Sequence, residues 1–496
     1  MNKIVIVGGG SAGWMTAASL IHNFPEKEIV VVDADSPTVG VGESTLQFIR
    51  IWMHSLGIKD EDWMDECNAT YKTSIRFENW DGKHGHFHYP FGEPVIEEQF
   101  SLDLYNFARL DGDVPNSEWA EVFYPAAVMA EKGKLIERMP GWDLHKNSAY
   151  HFDAIKFAQW LKNKYCLPKG VKLIQDGIAD IDVGVDGIEK MHGYLDINRG
   201  KGAIKADLYI DCTGFDAVLA NAVGMKFIDY SHGLPNDSAW ATQLPETDPN
   251  QFYTNCTTLN NGWVWNIPTK ERTGTGYVFS SRYVTDDGAL AEFKNHINPI
   301  LTKHKGYSTT EQLNFKLLKW TQGRRNKFAH KNVVAVGLAS GFIEPLESNG
   351  LFLTHETLKE LIKAIGRGSF RCGDKNGFNY AMCTRFDDFA DFVSMHYQYS
   401  AREDTSYWRD AHKYKLTNKA LDKFYKSVYA DSRVNPRDGH FNSIAFGLGI
   451  NTVSNYDAEY AKMFDGMDMI SLGKEHREYL LARKNEWSKL IDENSI

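Results

Sequence analysis

The sequence predicts an α/β protein with a doubly wound, Rossmann-like sheet, an additional mixed or antiparallel sheet and a helical C-terminal region. Three observations support this class. An apolar strand, a glycine-rich turn and a helix open the chain, glycine-broken alternating segments follow, and long charged helix-compatible stretches come last. The 496 residues, 43% of them hydrophobic, are enough for roughly two to four domains.

The first elements form a βαβ unit. Residues 4–7 are predicted to be a buried parallel strand, residues 8–13 a tight turn, residues 14–21 a helix and residues 29–32 a second strand. Because a crossover helix joins parallel strands, this unit commits the core sheet to a parallel, doubly wound arrangement.

Later segments repeat these patterns, and no flexible linker separates them. The sequence predicts helices over 153–164, 351–366, 378–399, 415–430 and 474–492, strands over 171–174, 262–267 and 275–281, and antiparallel hairpins between 180 and 212. We therefore expect interlaced regions rather than separate domains in a row.

Composition narrows the possible partners. Lys and Arg number 55 against 65 Asp and Glu, a net charge of -10, which argues against nucleic-acid or anionic-membrane partners. The six cysteines form no Cys-x-x-Cys pair, so we expect no structural zinc site, and the start of the chain shows no signal-peptide pattern. No stretch approaches the roughly 18 apolar residues of a membrane helix. These features predict a soluble cytoplasmic protein with a small-molecule partner, and they leave open whether it forms a homo-oligomer.

The glycine-rich turn has the spacing of a dinucleotide-binding site. Gly8 permits the turn, Gly10 lets the backbone approach a pyrophosphate, and Gly13 allows close packing of helix on strand, with Ser11 and Ala12 between them. The helix N-terminus supplies free N–H groups. Asp33, twenty residues after Gly13, is placed to accept the ribose hydroxyls of an adenosine. NAD and FAD are both compatible with this motif.

Further glycine turns favour FAD. The apolar strand at 207–212 runs into Gly214, and the strand at 332–336 ends at Gly337-Leu338. Similar strands return to the dinucleotide in flavoproteins of the hydroxylase superfamily, although each alone could be a plain core strand. Residues 40–44 add another turn suited to backbone contact with a flavin, containing Gly42, Glu43 and Ser44.

Two indoles alternate on the strand at 262–267. Alternate strand residues point to one face, so Trp263 and Trp265 would form a rigid wall. Such a pair is also compatible with ordinary core packing.

With these motifs, the chain resembles the flavin-dependent halogenases, particularly the tryptophan halogenase family. The similar segments span most of the chain: 8–14, 40–44, 149–154, 262–268, 276–281, 337–350 and 392–408. The resemblance implies an FADH2-dependent oxidoreductase that uses reduced FAD, O2 and chloride, bromide or iodide to make hypohalous acid. It also implies a separate flavin reductase and a tryptophan wall that shields the flavin from the substrate. Leu338 replaces the Asp that hydroxylases usually have after this glycine.

The resemblance assigns catalytic residues as well. Lys72 matches the family's catalytic lysine, and Glu347 with Ser348 matches its carboxylate–serine pair. Backbone amides at Asn349 and Gly350 would bind the halide, but the family usually has Thr where Asn349 stands, which leaves halide preference open. Glu347 could instead cap the helix expected after Gly350.

The substrate region differs more from the family. His88, Tyr89 and Phe91 fall where relatives have pocket aromatics, although they could also be loop anchors. The segment around Phe441 lacks an expected Trp, so we expect an electron-rich aromatic such as an indole, phenol or pyrrole. The resemblance divides the chain into an FAD-binding region, 1–350, with a substrate-lining insert at about 72–150, and a mainly helical region, 351–496. An aromatic hydroxylase and a non-catalytic flavin-binding protein are the alternatives.

Overall fold

The computed structural model describes residues 1–35, 43–96, 101–109, 113–195, 202–245, 248–301, 309–368, 370–413, 444, 447–449 and 466–496. They divide into two compact units, each drawn from three segments. The first unit comprises Met1–Ala69, Phe152–Ser231 and Lys319–Phe389, and the second comprises Thr70–His151, His232–Leu318 and Ala390–Ile496. The helix expected at 415–430 lies outside the described residues, and the functional division at residue 350 stays a prediction.

The strands are, in chain order, β1 (Lys3–Val7), β2 (Glu28–Asp33), β3 (Glu43–Ser44), β4 (Thr70–Lys72), β5 (Ser74–Glu78), β6 (His86–Pro90), β7 (Arg138–Met139), β8 (Trp142–Asp143), β9 (Ala149–Phe152), β10 (Lys172–Gln175), β11 (Ile178–Gly184), β12 (Gly187–Gly193), β13 (Leu208–Asp211), β14 (Phe227–Asp229), β15 (Ser238–Leu244), β16 (Tyr253–Leu259), β17 (Gly262–Pro268), β18 (Thr273–Phe279), β19 (Lys316–Lys319), β20 (Gly323–Arg325), β21 (Ala329–His330), β22 (Val333–Ala335) and β23 (Gly341–Phe342).

The α-helices are α1 (Ser11–Asn23), α2 (Ile49–Ser55), α3 (Asp60–Trp63), α4 (Ser101–Ala108), α5 (Glu118–Phe123), α6 (Pro125–Lys132), α7 (Leu144–Asn147), α8 (Ala154–Trp160), α9 (Val218–Ala222), α10 (Asp286–Leu301), α11 (Asn349–Gly366), α12 (Cys372–Gln398), α13 (Ser406–Ala411) and α14 (Met469–Asn494). None of the helices in the described ranges is long and apolar enough to cross a bilayer.

A six-stranded sheet organises the first unit, in the order β10-β2-β1-β13-β22-β21. Five strands are parallel, with Ile4 opposite both Ile29 and Leu208, and β21 closes the edge in the antiparallel sense. The apolar residues of β1 and β2 are buried on both faces, as parallel strands between helices must be. Val5 and Val7 pack in one cluster with Leu219 of α9. The predicted doubly wound core is confirmed.

The second unit contains a seven-stranded mixed sheet, in the order β19-β15-β18-β17-β16-β5-β6. β16 pairs in parallel with β5, whereas β15, β17, β18 and β6 pair in the antiparallel sense. One face packs against α10, where Phe293 and Ile297 join Tyr277 and Phe279 in a buried cluster. The additional mixed sheet predicted from the strands at 262–267 and 275–281 is therefore present.

The C-terminal helix α14 belongs to the second unit and packs on α4, α5 and α6. Leu480 enters the cluster of Tyr105 and Trp119, and Arg477 forms an ion pair with the buried Glu118, Nη2 to Oε2, at 2.6 Å. A helix from the end of the chain thus covers the helices that follow β6, which confirms the predicted helical C-terminal region.

Candidate active site

The glycine turn of the first unit has the backbone of a phosphate cradle. Gly8 adopts φ +108°, and a Cβ there would lie 2.2 Å from the carbonyl oxygen of Cys212. A Cβ at Gly13 would lie 1.9 Å from the Gly8 oxygen. Gly10, the N-cap residue, is extended and offers no side chain to cap the helix that begins at Ser11. The first N–H groups of α1 are therefore left for a ligand.

Asp33 ends β2 beside this turn. A Cβ at Gly9 would lie 2.0 Å from Asp33 Oδ2, so the middle glycine of the run is required as well. The sequence motif did not single out Gly9, although it stands within the glycine triplet. The arrangement leaves Asp33 half-buried, where its carboxylate can accept hydroxyl groups of a ribose.

The two returning strands bring glycines to the same unit. Gly337 has φ +66°, and a Cβ there would lie 2.7 Å from the Cβ of Ala12, which places it against the cradle. Gly214 has φ +70° with open space around its missing Cβ, and Leu338 is exposed. Small residues at the glycine turn and at the ends of both returning strands therefore leave room for a dinucleotide in this unit.

A buried carboxylate outside the glycine motifs fixes the Thr-Gly turn. Asp211 Oδ1 accepts hydrogen bonds from the Thr213 N–H at 3.0 Å and the Thr213 hydroxyl at 2.6 Å. Its Oδ2 accepts the Ala220 N–H at 2.8 Å. In the sequence, an Asp two residues before Thr-Gly, at the end of an apolar strand, indicates a carboxylate that holds this turn.

The segment before α11 positions the second group of predicted residues. Glu347 ends a one-turn 3-10 helix, Pro345–Glu347, and is fully buried. Ser348 follows in the left-handed conformation, φ 54°, and its hydroxyl lies 3.0 Å from that of Ser44. A serine held in this region signals local strain, which concentrates at functional sites.

The N-terminus of α11 is open to an anion. The helix begins at Asn349, two residues before the predicted start, and its first turn has neither an acidic residue nor a side-chain cap. Asn349 turns its amide nitrogen to the Ile343 carbonyl oxygen at 3.2 Å, and a Cβ at Gly350 would make only ordinary contact, 3.6 Å, with Glu43 Oε1. Free N–H groups at this end suit a halide. Gly42 lies outside the described residues.

In the second unit, Lys72 stands at the end of β4 with a fully buried side chain. Its Nζ lies 5.2 Å from the ring centroid of Phe91, a cation–π distance. The Phe91 N–H donates to the carbonyl oxygen of Thr73 at 2.8 Å, which fixes the ring beside the lysine. Burial, together with the charge of Lys72, holds the pKa of His151 well below its usual range.

Tyr89 joins this aromatic group, but His88 does not. The Tyr89 ring is edge-on to Phe91, 5.7 Å between centroids, and it also contacts Phe392 at 6.4 Å. His88 alternates with Tyr89 on β6, so its ring lies on the other face of the sheet, where it contacts Ser74 and Glu131. Phe441 lies outside the described residues.

The two indoles of β17 are packed side by side. Trp263 and Trp265 are buried, with ring centroids 6.2 Å apart and planes tilted by 59°. Gly276 on the neighbouring strand makes room for Trp265, because a Cβ there would lie 2.2 Å from Cη2. The buried Nε1 of Trp265 has no hydrogen-bond partner among the described residues. An unsatisfied buried donor of this kind is often completed by a ligand or water.

The first unit thus has the geometry of a dinucleotide-binding oxidoreductase, and the second unit adds a buried lysine among aromatic rings. The family model for tryptophan halogenase matches residues 3–465. The chain belongs to the tryptophan halogenase family, which makes it a flavin-dependent oxidoreductase of the halogenase class.

Similar proteins cover most of the chain. Tryptophan 6-halogenase SttH of Streptomyces toxytricini is 33% identical over 82% of this chain and 80% of its own length. Tryptophan 7-halogenase RebH of Lentzea aerocolonigenes is 34% identical over 85% and 81%. Among solved structures, the apo structure of VirX1 superimposes with a TM-score of 0.89 at 33% identity and covers 100% of this chain and 98% of that one. The expected family and fold are confirmed.

Proposed function

We propose that this enzyme uses reduced FAD, O2 and a halide to make hypohalous acid, which halogenates an electron-rich aromatic ring with the help of Lys72. The observation that carries the proposal is the complete burial of Lys72 at 5.2 Å from the Phe91 ring. A lysine is almost never fully buried unless interactions inside the protein offset its desolvation, so its full burial marks an environment built around the ammonium group.

The first unit would hold the FAD. Its pyrophosphate suits the N–H groups at Gly10 to Gly13, and its ribose suits Asp33. When bound, reduced FAD supplies the two electrons with which O2 becomes an oxidant for halide. The remaining predicted contacts are Gly8, Ser11, Ala12, Gly42, Glu43, Ser44, Gly214, Gly337 and Leu338.

Trp263 and Trp265 would keep the aromatic substrate away from the flavin. Both indoles are buried and mutually packed, so neither can swing aside without disturbing the sheet. A rigid wall of this kind lets a small oxidant such as hypohalous acid pass where a ring cannot. Halogenation would then be favoured over direct hydroxylation.

Lys72 would act on the hypohalous acid. An ammonium group donates hydrogen bonds to its oxygen and withdraws electron density from the halogen, which becomes more electrophilic toward an aromatic carbon. Burial strengthens this effect, because the local dielectric is low. The haloamine route, which needs a neutral lysine, leads to the same product.

Glu347 would take the proton that the ring loses when the carbon–halogen bond has formed. Its buried carboxylate suits the role of a general base. Ser348, in its strained left-handed conformation directly after Glu347, would hold the Glu347 carboxylate in place. The free N–H groups at Asn349 and Gly350 would bind the halide.

The substrate would be an indole, phenol or pyrrole. Tyr89 and Phe91 present two rings beside Lys72, an arrangement that can hold a further aromatic ring. SttH and RebH are tryptophan halogenases, and tryptophan belongs to the indole class. His88 and Phe441 remain predicted substrate residues, although the sheet places His88 away from the two rings.

The test is mass spectrometry of products from a panel of indoles, phenols and pyrroles. The full chain is incubated with FAD, a separate flavin reductase, NADH, O2 and one halide at a time, with catalase present. We expect a mass shift that depends on the halide. Lys72→Ala should abolish it while flavin oxidation continues, and Glu347→Gln should slow it.

Lys146→Ala is the matched control, because this lysine is 76% exposed and lies in the same unit. Its product yield should equal that of the unchanged protein. Halogenated product in the Lys72→Ala variant at full yield would remove Lys72 from the mechanism. Oxygen insertion without halide would indicate a hydroxylase, and flavin binding without turnover of any compound would favour the non-catalytic alternative.

A further inference from the structure

Two histidines and a glutamate converge at the edge of the second unit's sheet. His86 and His88 alternate on the edge strand β6, so their side chains share one face. Glu131 reaches this face from α6, and its Oε1 lies 2.7 Å from His88 Nε2 and 3.0 Å from His86 Nε2. The three ligand atoms all lie within 4.8 Å of one another.

These separations suit a metal ion. Ligand atoms at about 2.0–2.1 Å from a tetrahedral zinc lie about 3.3 Å apart, so the two contacts of Glu131 with the imidazoles need to open only slightly. Two imidazoles and one carboxylate are ligands for zinc and its first-row neighbours. His86 is 27% exposed and Glu131 is 35% exposed, which gives an ion a way in.

The surroundings of His88 resemble the second shell of a metal site. Ser74 Oγ lies 2.8 Å from His88 Nδ1. Because a hydroxyl group both donates and accepts, it can pair with either tautomer of the ring. Nε2 can therefore carry a proton toward Glu131, or lose that proton and bind a metal while Nδ1–H donates to Ser74.

The charge balance also admits a cation. Arg76 Nε lies 3.7 Å from Glu131, but Arg76 also pairs with Glu78, Nη1 to Oε2, at 3.5 Å. Glu78 and Glu131 carry two negative charges and Arg76 carries one positive charge, so these three side chains have a net negative charge. The buried Nε2 of His86, although close to Glu131, lacks a hydrogen bond of good geometry among the described residues.

The chain of hydrogen bonds from Ser74 through His88 to Glu131 also resembles a hydrolase triad. The serine of such a triad must reach a substrate, whereas Ser74 is fully buried within the sheet. The open side of the cluster is at Glu131 and His86 instead. The geometry therefore favours a metal over a nucleophile.

We propose that His86, His88 and Glu131 bind one divalent transition-metal ion of the zinc type, with water completing the coordination. The ion would tie β6, which carries Tyr89, to α6. This inference does not depend on the proposed function, because it concerns the opposite face of the strand.

Zinc alone is the probe. The chelator-treated full chain, with the exposed Cys372 replaced by serine, is titrated with Zn²⁺ against a chromogenic chelator. We expect one ion per chain. His86→Ala and Glu131→Gln should each weaken binding by at least about 100-fold, and Ser74→Ala by about 10- to 100-fold, as second-shell changes do.

His192→Ala is the matched control, since this ring is 26% exposed and lies 3.8 Å from the carboxylate of Asp182. Its zinc affinity should equal that of the parent. Thermal unfolding of each variant without metal shows whether it is folded. No stoichiometric binding by the parent, or equal affinity of the folded His86→Ala and His192→Ala variants, would overturn the proposal.

Discussion

Replacing Gly276 with alanine should displace the indole of Trp265 and destabilise the second unit. The new Cβ would lie 2.2 Å from Trp265 Cη2 and 2.7 Å from the carbonyl oxygen of Trp240. Carbon atoms in contact normally stay about 3.5–4.0 Å apart. The indole would have to move by more than about 1 Å, or β18 would have to separate from β15.

Two effects oppose each other in this variant. Overpacking a well-packed core costs about 1–3 kcal/mol. Alanine also restricts the unfolded chain, which stabilises the folded state by about 0.4–1 kcal/mol where the backbone is ordinary. One of the two close contacts is with the backbone carbonyl of Trp240 in the paired strand β15, which cannot easily move. The overpacking cost should therefore lie in the upper part of its range. We expect a net loss of about 2 kcal/mol.

The assay is thermal unfolding, with near-ultraviolet circular dichroism to report the tryptophan environment. Gly377→Ala in α12 is the control with the opposite sign: it is an exposed helix position where a Cβ would meet nothing within 4 Å. It should stabilise by about 0.5–1 kcal/mol. A Gly276→Ala midpoint at or above that of the unchanged protein would refute the packing argument.

Three further predictions concern other residues. Burial lowers the pKa of His355 to about 3, below its unfolded value, so the unfolded state takes up the proton first as the pH falls. Stability should drop by about 1.5 kcal/mol from pH 6.5 to 5, and denaturant titrations of His355→Gln should show a flatter profile; equal slopes would contradict this. Arg402 is buried, lies over the Trp408 ring at 5.0 Å and donates to the Leu259 carbonyl at 3.0 Å. Arg402→Lys should cost about 2 kcal/mol in thermal unfolding, and an unchanged midpoint would rule out the guanidinium-specific role. Ser348→Gly relieves about 1 kcal/mol of left-handed strain but loses the 3.0 Å contact with Ser44, so its stability should stay near that of the unchanged protein. Its product yield, measured by mass spectrometry, should fall, and full yield would show that the serine has no functional part.

The sequence predicted elements whose signal is local. The strand expected at 262–267 is observed at Gly262–Pro268, because alternation and a terminal proline define it. The helix expected at 378–399 begins earlier, at Cys372. The added first turns contain Gly373 and Gly377, whose low helix propensity makes this part of the helix hard to predict from a local pattern.

The site was predictable where the chain itself sets the geometry. The turn from Gly8 to Gly13 is one example, since strand, turn and helix are contiguous. The room that Gly276 leaves for Trp265 depends on which strands pair, and a linear pattern does not contain that information. Strand alternation alone predicts that His88 and Tyr89 lie on opposite faces of the sheet. The resemblance to the family's pocket aromatics favoured grouping them in one pocket instead.

The alternation of the two units along the chain has a consequence for synthesis. The chain crosses between the units five times. β1 must wait for β13, where Tyr209 pairs with Val5, and β13 must wait for β22, where Val333 pairs with Tyr209. Neither unit can be produced as one continuous fragment. Exposed sheet edges will persist while the ribosome works, and unpaired edges invite aggregation. Expression should therefore respond to chaperones and slower translation more than to changes at the surface of the finished protein.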